Sequence, residues 1–136
     1  MVKTQISEHA RIVRNRTKDM ITKVFGRTLT LRVMTRTLDA LGQVVSIATS
    51  DTTFIGDIQF GMDLDQRYLS SGIVEVGEAI LYIDPTALST LPVSGDSIID
   101  GNSVWEVHNQ IESPELGGSV THYSYRCKRE INTSDV

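Results

Sequence analysis

The chain has 136 residues, of which 40% are hydrophobic and 22% are charged, with one cysteine and a formal net charge of −4. This length is typical of a single domain that buries its own core without disulfide or metal support. One cysteine excludes an internal disulfide framework, and no apolar run approaches the roughly 18 residues of a membrane-spanning helix.

The charges are distributed unevenly along the chain. Residues 1–36 contain nine basic and two acidic residues, a net charge of +7, while the other hundred contain four basic and fifteen acidic residues, a net charge of −11. A basic end on an acidic body favours contact with an anionic partner, either nucleic acid or an acidic protein surface. A solvated helix face is the alternative reading of the same pattern.

Residues 7–25 have the apolar spacing of an amphipathic helix. Ser7 is a typical N-cap residue and Gly26 a typical helix stop. The other faces of the helix are strongly basic, so we expect residues 1–27 to form a basic N-terminal helix that contacts a partner. The expected contact residues are Arg11, Arg14, Arg16 and Lys18.

After Gly26 the apolar period changes from helical to alternating, which indicates β-strands. "TLTLRVMTR" is the first expected strand, "ALGQ" a turn, "VVSIAT" a second strand and "TTFIGDIQF" a third, in which Gly56 is typical of a β-bulge. "EAILYI" is a further expected strand, and the closing "VTHYSYRCKREI" is a long alternating one. The prediction is a mainly β fold, a small β-barrel or sandwich of six or more strands with one N-terminal α-helix. The barrel domain is expected over 28–131, followed by a flexible tail, 132–136.

"PVSGDSIIDGNSVWEV" resembles a metal-binding loop because it holds two aspartates among glycines. A calcium loop needs oxygen ligands at alternate positions, and the two isoleucines between Asp96 and Asp100 cannot supply them. The better interpretation is a hairpin, with its turn at residues 100–102. We therefore assign these aspartates a structural role.

The segment "GMDLDQRYLSSG", residues 61–72, is a long polar loop between two strands. Loops of this length in a compact barrel are usually functional or disordered. Its two aspartates are a weak signal for a cation, and a solvated loop is the simpler reading. As a surface loop it should contribute little to stability.

Other chemistry is sparse. The three histidines are scattered, so a zinc site is not expected. Cys127 lies on the tyrosine face of the last strand, where a core thiol is expected. No nucleotide-binding or nucleophile motif occurs. We expect a protein that is not an enzyme and has no cofactor or metal.

The order of the β-segments resembles that of the head-closure, or stopper, proteins of the head–tail joining family of long-tailed bacteriophages. The matching segments are "FIGDIQFG", "VEVGEAILYIDP", "VSGDSIIDGNSVWEVHNQI" and "THYSYRCKRE". The resemblance covers residues 44–131 and consists of turn-and-strand patterns. The long basic helix departs from the family, which leaves an adaptor or tail-terminator role open, and a small nucleic-acid-binding module is a further alternative.

The resemblance implies a structural protein of the virion neck, assembled in the host cytoplasm. It would form a homo-oligomeric, six-fold ring between the portal or adaptor and the tail proteins, retain packaged double-stranded DNA in its channel, and have no membrane contact. The loop at 61–72 would then project into the channel and gate it. Its expected gating residues are Asp63, Asp65, Gln66, Arg67 and Tyr68.

Overall fold

A computed structural model describes residues 2–61, 64 and 66–130, and for residues 2–9 it describes the backbone alone. The expected tail, 132–136, lies outside the described residues, as do Asp63 and Asp65. The fold is mainly β with one long N-terminal helix, as predicted. Its elements are α1 (Val2–Asp19), a π-helical turn (Met20–Val24), β1 (Arg27–Leu38), β2 (Val44–Phe60), α2 (Gln66–Ser70), β3 (Glu78–Ile83), β4 (Ser97–Asp100), β5 (Ser103–Glu112), β6 (Glu115–Leu116), β7 (Ser119–Val120) and β8 (Tyr123–Arg129).

Six strands close into an antiparallel barrel in the order β1-β2-β3-β8-β5-β4, with β4 returning to β1. The short strands β6 and β7 form a separate hairpin. Closure pairs the edges that an open sheet would leave exposed. The barrel thus resolves the choice between barrel and sandwich that the strand pattern left open.

The barrel interior is filled by alternate residues of each strand. The strand pattern of the sequence predicts ten core residues. Eight of them are buried in the barrel, and the other two, Val33 and Tyr123, pack against the core half-buried. The prediction that Cys127 is a core thiol is confirmed, since its side chain is fully buried. The eight are Leu31, Ile58, Leu81, Ile83, Ile98, Trp105, Val107 and Tyr125.

The helix is longer at its start than the sequence predicts. It begins at Val2, so the prediction that Ser7 caps it is wrong. The predicted stop is confirmed, since the helical turn ends before Gly26. A Cβ at Gly26 would lie 2.0 Å from the carbonyl oxygen of Ile21, so only glycine fits this close return of the chain.

The two strands expected within residues 44–60 are one continuous strand of 17 residues. Gly56 pairs in register with Arg27 at the end of the β1 ladder, and the pairing with β3 begins at the next residue, so the bulge expected at Gly56 is absent. A Cβ at Gly56 would lie 2.8 Å from the ring of Phe54. The glycine therefore makes room for this core ring rather than kinking the strand.

The predicted hairpin at residues 100–102 is confirmed. Asp100 pairs with Ser103, and Gly101 takes a positive φ of 58° at the turn. The Asp100 carboxylate lies 3.2 Å from the guanidinium of Arg27, and the Asp96 carboxylate accepts a 2.9 Å hydrogen bond from the Val93 amide. Both aspartates have the structural role assigned from the sequence.

Candidate partner interface

Helix α1 lies against the outside of the barrel and is attached at two points. Among residues 10–25, the buried apolar side chains are Ala10 and Ile21, at 2% and 5% exposure. Ala10 packs beside Gly117 of the β6–β7 hairpin, where a Cβ would approach it to 2.7 Å. Ile21 packs at the other end, beside the outer wall of the barrel. Most of the side chains of residues 10–25 therefore remain exposed.

The four basic residues singled out from the sequence all lie on helix α1. Arg14 and Lys18 reach their own chain, with Arg14 Nη1 donating to the carbonyl oxygen of Leu116 at 3.4 Å and Lys18 Nζ 3.4 Å from Thr86 Oγ1. Arg11 and Arg16 are exposed. Lys18 is also exposed and Arg14 is half-buried, so all four side chains reach the surface of the helix.

The helix and the turn that follows it also expose a substantial apolar surface. A helix that buries its apolar stripe within its own domain covers the side chains of that stripe. Here five apolar side chains are exposed. They are Ile12 (42% exposed), Val13 (43%), Met20 (52%), Val24 (65%) and Phe25 (53%).

A shallow apolar cleft of about 170 Å³ separates the end of the helix from the barrel wall. It is lined by Met20, Ile21 and Phe25 on one side and by Tyr82 and His122 on the other. Burial lowers the pKa of the His122 imidazole, which therefore contributes a neutral ring at pH 7. The cleft continues the exposed apolar surface of the helix. Local sequence patterns could not reveal it, because its two sides are distant along the chain.

The central segment, residues 61–77, is attached to the outer wall of the barrel. Leu64, Tyr68 and Val74 pack with Ile80 of β3 in a second apolar cluster. The Tyr68 hydroxyl donates a short hydrogen bond to the Glu112 carboxylate, and burial together with this bond raises the pKa of Tyr68. The expectation that this loop contributes little to stability is therefore wrong, because its apolar residues share a buried cluster with a barrel strand.

The residues of α2 differ sharply in exposure. Tyr68 is 8% exposed, whereas Gln66 and Arg67 are exposed. Of the expected gating residues with described positions, Tyr68 thus anchors the segment and the other two remain open to contact. The sequence signal for this anchoring was the spacing of Leu64, Tyr68 and Val74, which is too irregular to distinguish a packed cover from a loop.

A nearly buried ion pair lies beside the central segment on the outer wall. Arg126 Nε donates to both carboxylate oxygens of Glu78 at 2.9 and 2.8 Å, and its Nη2 lies 2.8 Å from Oε2. Burial alone would raise the pKa of Glu78. The hydrogen bonds from Arg126 and from the Glu75 amide have the larger combined effect, so the pKa lies below its ordinary value. This pair joins β3 to β8, so its evident role is structural.

The described side chains contain no cluster of three potential metal ligands. Burial raises the pKa of the Cys127 thiol to about 12, which keeps it protonated and unreactive at neutral pH. Within the described part of the chain, no helix is long and apolar enough to span a bilayer. The features available for function are thus surfaces: the helix with its cleft, and the exposed side chains of the central segment.

No protein-family model and no curated protein sequence matches the chain. Among solved structures, the chain is similar to the solution structure of protein SF1141 from Shigella flexneri 2a. The identity is 16%, the TM-score is 0.57, and the match covers 82% of this chain and 100% of that one. At this identity the likeness extends to the fold alone.

Proposed function

We propose that this protein is a structural subunit of the neck of a tailed-bacteriophage virion. In this role it forms a ring between the portal or adaptor and the tail, closes the filled head and retains the packaged DNA. The stopper-like segments that suggest this function occupy the barrel: they fall on the end of β2, on β3, on the β4–β5 hairpin and on β8.

The observation that carries the proposal is the sparse attachment of α1. A helix of 18 residues has little stability by itself in water and depends on burying an apolar face. Here Ala10 and Ile21 are the buried apolar side chains of residues 10–25, while the apolar side chains at the end of the helix are about half exposed. A neighbouring protein that covers this surface would complete the packing of the helix, as expected for a subunit of a larger assembly.

The charges of the helix indicate the chemistry of that neighbour. Arg11 and Arg16 lie on the open surface of the helix, where they would direct an acidic protein surface toward the apolar patch beside them. We assign this contact to the portal or adaptor. A protein contact is favoured over DNA because a DNA-binding surface is mainly charged, whereas here arginine alternates with exposed apolar residues.

The central segment would serve at the channel. Its anchor, Tyr68, fixes α2 on the barrel wall, and the exposed Gln66 and Arg67 would contact a neighbouring subunit or the DNA. Asp63 and Asp65, which belong to the same proposed gate, lie outside the described residues.

The test reverses the charge of exposed helix residues and measures whether the variant protein is incorporated into virus particles. The double variant Arg11→Glu/Arg16→Glu should leave the barrel folded, because neither side chain belongs to the barrel core, and should be missing from purified virions. The matched control is Arg11→Lys/Arg16→Lys, which keeps the positive charge at the same two exposed positions and should be incorporated.

Electron microscopy of the same particles locates the protein. A ring of this protein between head and tail, present with the control and absent with the helix variant, would support the proposal. Particles that retain DNA and join tails without any of this protein would contradict it. Strong, salt-dependent DNA binding by the purified protein, lost in the helix variant, would point to the nucleic-acid-binding alternative instead.

A further inference from the structure

The first two strands extend well beyond the barrel as a two-stranded arm, residues 33–53. β4 pairs with β1 only at residues 30–32, and β3 pairs with β2 only at residues 57–60. Between these points, 33–38 and 44–50 pair with each other. At about 3.3 Å per residue, the arm projects roughly 20 Å from the last contact with β4.

One face of the arm is apolar and exposed. The β1–β2 register places Met34 opposite Thr49, Arg36 opposite Ile47 and Leu38 opposite Val44, so these side chains share one face. Four of them are apolar and about half exposed: Met34 (47%), Leu38 (57%), Val44 (50%) and Ile47 (58%). Leu41 in the connecting turn is 84% exposed. Contiguous apolar surface of this kind marks an interaction site.

Both edges of the arm lack the usual protection against strand pairing. Exposed edges are normally blunted by proline, by charge or by bulges. Residues 33–53 contain no proline and no lysine, and the single bulge lies beside the turn, between Thr37 and Leu38. An isolated two-stranded ribbon is at best marginally stable in water, so further pairing would stabilise the arm.

We propose that the arm is the surface through which copies of this chain bind one another. The β1 edge of one arm pairs with the β2 edge of the arm of the next copy, which places the apolar faces of successive arms side by side so that their side chains contact across the new pairing. The two edges are different, so the contact is heterologous and repeats from copy to copy, which is the kind of contact that closes a ring.

Composition favours a second copy over other occupants. The arm has three charged residues among its 21, Arg36, Asp39 and Asp51, and Asp51 is already paired with Arg32. A surface with one arginine and two aspartates does not suit DNA phosphates, and charge depletion is typical of the buried centre of a protein interface. The arm also matches the roughly 20–30 residues per side of a stable protein interface.

This inference deepens the proposed function, on which the ring-forming role of the contact rests, but the contact itself can be tested on the purified chain. Sedimentation velocity from about 1 to 200 µM should show mass that increases with concentration. The variant Met34→Lys/Ile47→Lys should weaken association at least tenfold. The control Ile73→Lys/Val76→Lys, at exposed apolar positions outside the arm, should associate like the natural protein.

Hydrogen exchange on the natural protein tests the same contact without any substitution. Backbone amides of 33–38 and 44–53 should become protected as concentration rises, while those of the Gly77 turn should not. A monomer at every concentration, or association that persists unchanged in the arm variant, would overturn the inference. A chain that associates through the arm but never enters virions would contradict the proposed function and leave the arm contact standing.

Discussion

Replacing Tyr68 by alanine tests whether the central segment is part of the packed structure. The side chain is 8% exposed and packs with Leu64, Val74 and Ile80. Truncating a buried aromatic residue to alanine costs about 3–5 kcal/mol. Because this cluster lies on the outer wall and not in the barrel interior, we expect a loss near the lower end, about 3 kcal/mol.

Replacing Tyr68 by phenylalanine separates the hydrogen bond from the packing. The ring is retained, and the only interaction removed is the hydroxyl bond to Glu112. Glu112 is exposed, so water replaces the lost donor at its carboxylate. The expected loss is about 1 kcal/mol, as for an ordinary hydrogen bond.

Urea unfolding followed by tryptophan fluorescence provides the measurement. Trp105 is the only tryptophan and lies in the barrel core, so it reports on the barrel and not on the segment itself. Val76→Ala, at a position 92% exposed, is the control and should change the free energy of unfolding by less than about 0.5 kcal/mol. A loss below about 1 kcal/mol for Tyr68→Ala would refute the reasoning and restore the segment to an ordinary surface loop.

Three further predictions follow from the barrel. Trp105→Ala should lower the free energy of unfolding by about 3–5 kcal/mol. Trp105→Phe should lower it by about 1 kcal/mol, because the indole Nε1 is buried with no hydrogen-bond partner among the described residues. Equal losses for the two variants in urea melts would contradict this. Glu78→Gln should destabilise by about 3 kcal/mol at pH 7, since it breaks the pair with Arg126. The pKa of Glu78 is lowered in the folded state, so the ionised carboxylate stabilises the fold above the ordinary pKa of 4.5, and this stabilisation is lost as the pH falls through the folded pKa. A stability difference between the natural protein and the variant that stays constant from pH 7 to about pH 3 would be inconsistent with the pair. Cys127 should resist a thiol reagent at pH 8 in the native protein and react after unfolding in urea, because burial raises the pKa of its thiol. Rapid labelling of the native protein would place the thiol at the surface.

The resemblance to stopper proteins remains a prediction about function. It relies on turns and strands that the barrel contains, and a fold of this kind hosts many functions. The similarity to the Shigella protein extends to the fold. The charge reversal on α1 and the arm variant address function directly, because each changes a surface without changing the core.

The sequence alone determined the features that depend on neighbouring residues. Alternation identified the inward face of β5, a short apolar run indicated β3, and residues 100–102 specified the hairpin, because these signals depend on local geometry. The end of the helix was also predictable, since Gly26 permits a return that any side chain would block. The basic character of α1 was evident from charge counts.

Only the tertiary structure decided which surfaces are covered. Ile80 faces outward from the barrel and is nevertheless fully buried, because the central segment lies over it. Val13 and Met20 fit an apolar stripe and are exposed, because the apolar side chains buried within residues 10–25 are Ala10, beside the β6–β7 hairpin, and Ile21, beside the barrel wall. The arm exists because β4 ends after a few pairs with β1, a limit set by a strand more than sixty residues away in the chain. Burial depends on contacts between distant segments, and local patterns contain no information about where those segments meet.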